Sequence, residues 1–189
     1  MINDVINNVI KDVQHRMDGA IEALHREFKT LRTGRANAAM LDGVTVDYYG
    51  TPTPISQVAS LKVPEPSLIV AEPWDKNMVS PIEKAIRNAD LGLNPMNDGK
   101  VIRIPIPQLT EERRKELVKR AHHVAEESRT AIRQVRRDGN DHLKKMLKDH
   151  KISEDDEKRG LDEIQKITDK HIDEVGTILK HKEADIMAV

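Results

Sequence analysis

The strongest constraint on this chain is a long stripe of apolar residues at helical spacing near its N-terminus. From Ile6 to Leu31 the stripe advances in steps of three or four residues. That spacing places the apolar side chains on one face of a helix that packs against other helices. The helix is predicted to end near Thr33-Gly34, where glycine adopts the left-handed conformation that closes helices. The predicted stripe is Ile6, Val9, Val13, Met17, Ala20, Leu24, Phe28 and Leu31.

Two more stripes of this kind lie in the second half of the chain. The first follows Thr110, a predicted N-cap, and runs through Leu117, Ala121, Val124, Ser128, Ala131 and Val135 to Met146. The second follows a capping-box pair, Ser153 and Asp156, and runs through Leu161, Ile164, Thr168, His171, Val175, Ile178 and Lys182. An isolated apolar stripe leaves its area in water at roughly 25 cal/mol per Å². Three such helices are therefore expected to pack as a bundle.

The segment between the first and second stripes has a different character. Residues 42–105 hold eight of the nine prolines and short β-rich runs at 44–49, 67–71 and 101–104. Val79, Ile82, Ala85 and Ile86 are spaced for one buried helix face. These patterns predict a small mixed β/α/β domain. The expected fold is α+β with two domains, a three-helix bundle of residues 1–32 and 106–189 and an inserted α/β domain of residues 33–105.

Two connections would join such domains, near residues 33–36 and 104–107. The first contains Gly34 and Arg35, and the second contains Pro105 and Pro107. Each proline lacks a backbone donor and keeps its predecessor extended, so the second segment is not expected to continue a helix or a central strand. We predict hinges at both places.

Composition excludes several classes of function. Only 2% of residues are aromatic, which argues against sheets and barrels that stack single-stranded bases on rings. The absence of cysteine excludes disulfides and thiolate catalysis. No apolar run approaches the roughly 20 residues of a membrane span, so we expect a cytoplasmic protein that does not engage a membrane. In so ring-poor a chain, Tyr48, Tyr49 and Trp74 are expected to anchor the core of the small domain.

Charge is segregated along the chain although the net charge is only -1. Residues 110–151 carry 13 basic and 8 acidic side chains, whereas residues 152–189 carry 6 and 11. At about 100° per residue, the arginines of the basic segment fall within roughly 100°, and the apolar stripe is centred roughly 140° away. This basic face, expected to point outward, comprises Arg129, Arg133, Arg136, Arg137, Lys115, Lys119, Lys144 and Lys148.

The basic face has two interpretations. Arginine donates in pairs to phosphate oxygens and stacks on bases, so a helix face with several arginines suits structured RNA. Alternatively, the face is only solvated, with its arginines paired to Glu126, Asp138, Asp141 or acids of the last helix. The histidines offer no convincing metal or catalytic site, because Glu22 with His25 lacks a second copy and His122 with Glu126 suits a surface pair.

Six segments carry a resemblance to a known family. They are LRTGRA at 31–36, YYGTPTP at 48–54, DLGLNP at 90–95, PIPQLTEERR at 105–114, RQVRRD at 133–138 and ISEDD at 152–156. Together, in this order, they resemble the ribosome recycling factors of bacteria. The resemblance covers almost the whole chain.

This resemblance implies a fold and a function. The family's fold is an L-shaped arrangement of a three-helix bundle and a small mixed domain. Its members are not enzymes and need no cofactor; they are expected to act as monomers. They bind the large (50S) ribosomal subunit after termination, through 23S ribosomal RNA, and elongation factor G with GTP then drives the subunits apart.

The resemblance also assigns roles to residues. It places the arginine at Arg136 in direct contact with large-subunit RNA, and Arg32, Arg129 and Arg133 on the same surface. Arg137 is either a further contact or the ion-pair partner of Asp141. Arg35 either touches RNA or fixes the inter-domain angle. The rival hypotheses are a helical adaptor or chaperone whose basic face meets an acidic client, and a metal-dependent enzyme.

Overall fold

The computed structural model describes residues 4–31 and 33–188, which divide into two compact units. In chain order the main elements are α1 (Asp4–Thr30), β1 (Thr45–Tyr48), β2 (Thr51–Pro54), β3 (Ala59–Glu65), β4 (Leu68–Pro73), α2 (Val79–Asn88), β5 (Met96–Asn97), β6 (Ile102–Pro105), α3 (Glu111–Lys148) and α4 (Glu154–Met187). Residues 4–31 with Arg114–Met187 form the larger unit, and Thr33–Arg113 form the smaller one. The presence of one helical unit and one unit built on antiparallel sheets confirms the predicted α+β class with two domains.

The three long helices of the larger unit bury the predicted stripes, with small local errors. In α1 the prediction was wrong at Ala20, since the buried residue is Ile21, and α1 ends at Thr30 rather than near Gly34. In α3 the buried residue is Ile132, while Ala131 is exposed. In α4, Ile164, Thr168, His171 and Val175 are buried as predicted. Leu161, Ile178 and Lys182 are only half-buried, and the other buried residues are Gly160, Leu179 and Ile186.

Both predicted N-terminal caps of the second helix pair are confirmed. The Thr110 hydroxyl oxygen accepts from the backbone N–H of Arg113 at 3.1 Å and so satisfies one free donor at the start of α3. At the start of α4, Asp156 N–H donates to Ser153 Oγ at 3.1 Å, and Ser153 N–H donates to the Asp156 carboxylate at 3.4 Å. This reciprocal capping box stabilises the turn between α3 and α4.

Two glycines let the three helices approach one another closely. A Cβ added to Gly139 of α3 would lie 2.7 Å from Val13 Cγ2 of α1 and 3.1 Å from Ile164 Cδ1 of α4. At Gly160 of α4 the same atom would lie 2.7 Å from Leu143 Cδ1 of α3. Each glycine therefore marks a place where side chains of the neighbouring helices pack directly against the helix backbone. The close packing requires glycine there despite its cost in a helix interior.

A buried histidine joins α1 and α4. His171 is 1% exposed, its Nδ1 lies 2.7 Å from the Ile167 carbonyl oxygen, and its Nε2 lies 2.7 Å from Asp18 Oδ1. The hydrogen bond from His171 lowers the pKa of the partly exposed Asp18 carboxyl. The buried ring therefore ties α4 to Asp18 of α1.

The smaller unit contains two antiparallel sheets and α2. β1 pairs with β2, and the four-stranded sheet has the order β3-β4-β6-β5. β1, β4 and β6 cover the three predicted β-rich runs, and α2 buries Val79, Ile82 and Ile86 as predicted, while Ala85 is half-buried. The sequence reasoning missed β2, β3 and β5. β2 contains Pro52 and Pro54, which argue against a strand in the sequence, but a strand of a two-stranded sheet has a free edge that tolerates proline.

The segment 104–107, predicted not to continue a helix or a central strand, begins inside the sheet. Ile104 and Pro105 belong to β6, where Pro105 pairs with Leu68, and Ile106 lies in the core of the smaller unit. Ile106 N–H donates to the Ser67 carbonyl at 2.8 Å, and hydrogen-bonding directions alternate along a strand. The nitrogen of Pro105 therefore faces away from β4. On that side β5 reaches only Ile102 and Arg103, so the missing donor leaves no bond unmade.

Candidate nucleic-acid interface

Four arginines of the predicted basic face occupy consecutive turns of α3 in the larger unit. Residues 129 and 137 are eight positions apart, which is about 12 Å along the helix axis. Arg137 is exposed, and Arg129, Arg133 and Arg136 are half-buried at the margin of the packed side. The four lysines that extend this face, Lys115, Lys119, Lys144 and Lys148, are all exposed. The helix therefore presents a cationic face with arginines in the middle and lysines towards both ends.

Arg129 and Arg133 share one carboxylate of the same helix. Arg129 Nη1 lies 3.2 Å from Glu126 Oε2, and Arg133 Nη1 lies 3.0 Å from Glu126 Oε1. Hydrogen bonds from Arg133 and Arg129 hold the pKa of the Glu126 carboxyl below its usual value. The side chains of Glu126 and Arg133 are 57% and 43% exposed. This half of the face matches the solvated interpretation, because its cations have an internal partner in water.

Arg136 and Arg137 differ from their two neighbours. Within residues 4–31 and 33–188, neither side chain forms an ion pair or hydrogen bond. The predicted Arg137 pair with Asp141 is not formed. Asp138, another acid considered as a partner, is engaged by Arg16 of α1 at 2.7 Å and by Gln134 at 2.9 Å. These two guanidinium groups therefore have all their donors available to an external anion.

Hydrogen bonds from Arg16 and Gln134 also lower the pKa of the Asp138 carboxyl. Asp138 adjoins Arg137 in the sequence and would reduce the local positive potential if it turned towards it. Arg16 holds this carboxylate by a salt bridge of 2.7 Å. The sequence reasoning placed Asp138 among possible partners of the arginine face and did not foresee Arg16 as its partner.

The remaining predicted site residues belong to the connections. Arg32 lies outside the described residues. Arg35 is exposed in the smaller unit. Gly34 has a φ of +71°, and a Cβ there would lie 2.7 Å from Leu109 Cγ, so both backbone conformation and packing require glycine. Pro107 is exposed beyond β6.

The aromatic side chains of the smaller unit are not where the sequence placed them. Tyr48, Tyr49 and Trp74 are 38%, 76% and 68% exposed, so the expectation that they anchor the core was wrong. The core is aliphatic instead. Tyr49 and Gly50 form the two-residue turn between β1 and β2, with φ values of +49° and +84°. Turn positions of a tight hairpin are exposed, and this signal was available in the sequence.

Tyr49 is nevertheless held in place. Its hydroxyl donates to Asp75 Oδ2 at 2.8 Å, and this hydrogen bond raises the pKa of the Tyr49 phenol. The backbone N–H of Asn77 and then the Tyr49 hydroxyl lower the pKa of Asp75. The contact fixes the hairpin turn to the segment that follows β4.

The surface pair of His122 with Glu126 that the sequence suggested is not formed. His122 contacts Glu183 of α4, while Glu126 is engaged by the two arginines. Across the described ranges, no three side chains of the histidine, cysteine and carboxylate types are grouped so as to hold a metal ion. No helix in that part of the chain is long and apolar enough to span a membrane.

Comparison with known proteins agrees with this geometry. The sequence model of the ribosome recycling factor family matches residues 24–187. The chain is 55% identical to the ribosome-recycling factor of Syntrophomonas wolfei over 98% of its own length and 100% of that protein. It is 56% identical to the ribosome-recycling factor of Clostridioides difficile over 95% of this chain and 97% of that protein.

Solved structures give the same result. A solution structure of the ribosome recycling factor superposes with a TM-score of 0.73 at 43% identity, with complete coverage of both chains. A second match has a TM-score of 0.61 at 44% identity and covers 96% of this chain and 98% of that one. It is the T. thermophilus ribosome recycling factor, described with E. coli elongation factor G on the E. coli post-termination complex. The resemblance found in the six sequence segments is confirmed.

Proposed function

The chain belongs to the ribosome recycling factor family, and on that premise we propose that it separates ribosomal subunits after translation has terminated. It binds the large (50S) subunit of the post-termination complex, and elongation factor G with GTP then drives the subunits apart. Messenger RNA and deacylated transfer RNA are freed. The T. thermophilus relative described with elongation factor G on such a complex supports the assignment.

The proposed contact is the basic face of α3 on 23S ribosomal RNA. The observation that carries it is the pair of exposed or half-buried guanidinium groups, Arg136 and Arg137, that have no side-chain partner among the described residues. Phosphate oxygens suit the paired donors of arginine, and a rigid helix can follow the shape of structured RNA without aromatic stacking. Arg32, Arg35, Arg129 and Arg133 complete the proposed contact set.

We further propose that the protein itself catalyses no covalent chemistry and needs no cofactor. Its role is to bind the large subunit and to be moved by elongation factor G. The free energy for this movement comes from GTP on elongation factor G. This assigns it to the cytoplasm, where ribosomes work, as a monomer. Movement requires flexible connections, which we place at Gly34-Arg35 and, beyond the predicted Pro105, at Pro107. Because Ile106 is anchored in the core, Pro107 is the first residue free to move.

The test is a splitting assay. Post-termination complexes are mixed with the purified chain, and light scattering or gradient sedimentation follows their conversion into subunits. We expect splitting only when elongation factor G and GTP are both present. Intact complexes under the full set of conditions would contradict the proposal. Binding that survives ribonuclease treatment of the target would instead favour an adaptor that recognises a protein.

A further inference from the structure

The two halves of the basic face differ in whether an internal anion already occupies them. Arg129 and Arg133 each donate one N–H to the Glu126 carboxylate, at 3.2 Å and 3.0 Å. The next two arginines along the helix, Arg136 and Arg137, have no such partner among the described residues. The carboxylate therefore lies between two guanidinium groups, one turn apart on the helix.

A carboxylate in that position has the chemistry of a bound phosphate. The planar carboxylate and the tetrahedral phosphate both accept hydrogen bonds from guanidinium donors at similar distances. Both are stabilised when two arginines donate to them. The side chain of Glu126 is 57% exposed, so an incoming anion can reach the place that its oxygens fill. Exposed ion pairs of this kind contribute little to folding stability and are readily exchanged.

The geometry of these contacts favours exchange of Glu126 for another anion over rigid positioning of the two arginines. Each guanidinium uses only its Nη1 nitrogen towards Glu126, and neither forms the bidentate fork that would fix its orientation. Arg129 is 22% exposed and is confined by its surroundings as well as by the carboxylate. Removing the carboxylate would therefore free one donor on each arginine without releasing Arg129 to solvent.

We propose that Glu126 occupies, in the free protein, the phosphate-binding position formed by Arg129 and Arg133, and that it competes with ribosomal RNA for these arginines. This inference rests on the proposed function. Such competition lowers the affinity of one half of the face, while Arg136 and Arg137 bind without it. A lower affinity also favours release of the protein from the large subunit.

The experiment measures affinity for isolated large subunits across a range of salt concentrations. The chain has no cysteine, so the exposed Ser56 changed to cysteine provides one labelling site on the smaller unit. Glu126→Gln removes the competing charge. Glu127→Gln is the matched control, because it changes the net charge equally but its carboxylate lies 3.3 Å from His123 and contacts no arginine of the face.

We expect Glu126→Gln to bind about three- to tenfold more tightly at low salt, with a slope of log affinity against log salt that is steeper by about one, since one more phosphate is neutralised. Glu127→Gln is expected to stay within about twofold of the parent chain. In a chain that also carries Arg129→Ala and Arg133→Ala, the effect of Glu126→Gln should disappear, because a double-mutant cycle isolates an effect that acts through those arginines.

Each outcome decides the inference. Equal behaviour of Glu126→Gln and Glu127→Gln, weaker binding by Glu126→Gln, or an effect that persists without the two arginines would each overturn it. Failure of the parent chain to bind large subunits at all would overturn the proposed function instead. Binding by the parent chain therefore separates failure of this inference from failure of the proposed function.

Discussion

The two sides of α3 are constrained in different ways. One side packs into the interior of the larger unit, and the other is the basic face. In the interior, packing limits the size of the side chain, because Gly139 and Gly160 leave no space for one additional carbon atom. On the basic face, charge decides, and side chains such as Arg137 are exposed with free donors. The difference teaches that substitutions on one side of α3 should change folding without changing binding chemistry, and substitutions on the other side the reverse.

The largest effect is expected in the interior. Gly139→Ala should lower the free energy of unfolding by about 2 kcal/mol, because overpacking against Val13 and Ile164 costs up to about 3 kcal/mol and alanine's better helix propensity returns about 1. The control is Gly176→Ala in α4, where no atom lies within 4 Å of the added carbon. It should raise stability by roughly 0.5–1 kcal/mol. Urea unfolding measures both, and a shift of the same sign for both variants would contradict the packing account.

On the basic face we expect a smaller change that appears only in binding. Arg136→Ala should weaken binding to the large subunit about tenfold, or about 1.4 kcal/mol, and Arg137→Ala should weaken it less. The free energy of unfolding should change by less than about 0.5 kcal/mol for both. Undiminished binding by Arg136→Ala, or a loss that parallels a loss of helix content, would break the distinction between the two sides of α3.

The smallest effect concerns the histidine contact between α1 and α4. Asp18→Asn should cost about 1 kcal/mol, since His171 loses a charged partner that is itself partly exposed to water. The pKa of Asp18 is lowered from 3.8, so the stabilisation is fully present above that value and is lost as pH falls through the lowered pKa. Unfolding measured between pH 7 and pH 2 should show the two chains converge at acid pH. A constant difference would contradict a contribution from the Asp18–His171 contact.

The sequence predicted the three long helices well and erred in where their buried stripes lie. From Gly160 through Ile164, Thr168, His171 and Val175 to Leu179, the buried positions of α4 advance by 4, 4, 3, 4 and 4 residues. A strict alternation of threes and fours assumes the supercoil of a coiled coil, whereas these steps follow a straighter helix. The same difference moved the buried position from Ala131 to Ile132. Close approach at the glycines could not be foreseen, because it depends on all three helices at once.

The candidate site was predictable as a face but not in its internal differences. Helical spacing is enough to group Arg129, Arg133, Arg136 and Arg137. Which of them have partners depends on side-chain rotamers and on α1, and spacing alone had offered Asp138 and Asp141 as partners on equal terms with Glu126. The exposed Tyr49 shows the opposite case, since its position before Gly50 in a tight turn predicted exposure more reliably than its apolar ring predicted burial.

The most direct test of the central claim is a crosslinking measurement from two positions on α3. A benzophenone side chain is placed at Lys144, on the basic face, or at Ala131, which is also exposed but lies roughly 140° around the helix. With large subunits, we expect crosslinks to 23S ribosomal RNA from position 144 and few from position 131. Equal yields from both positions, or crosslinks from position 144 to protein alone, would contradict the claim that this face of α3 binds ribosomal RNA.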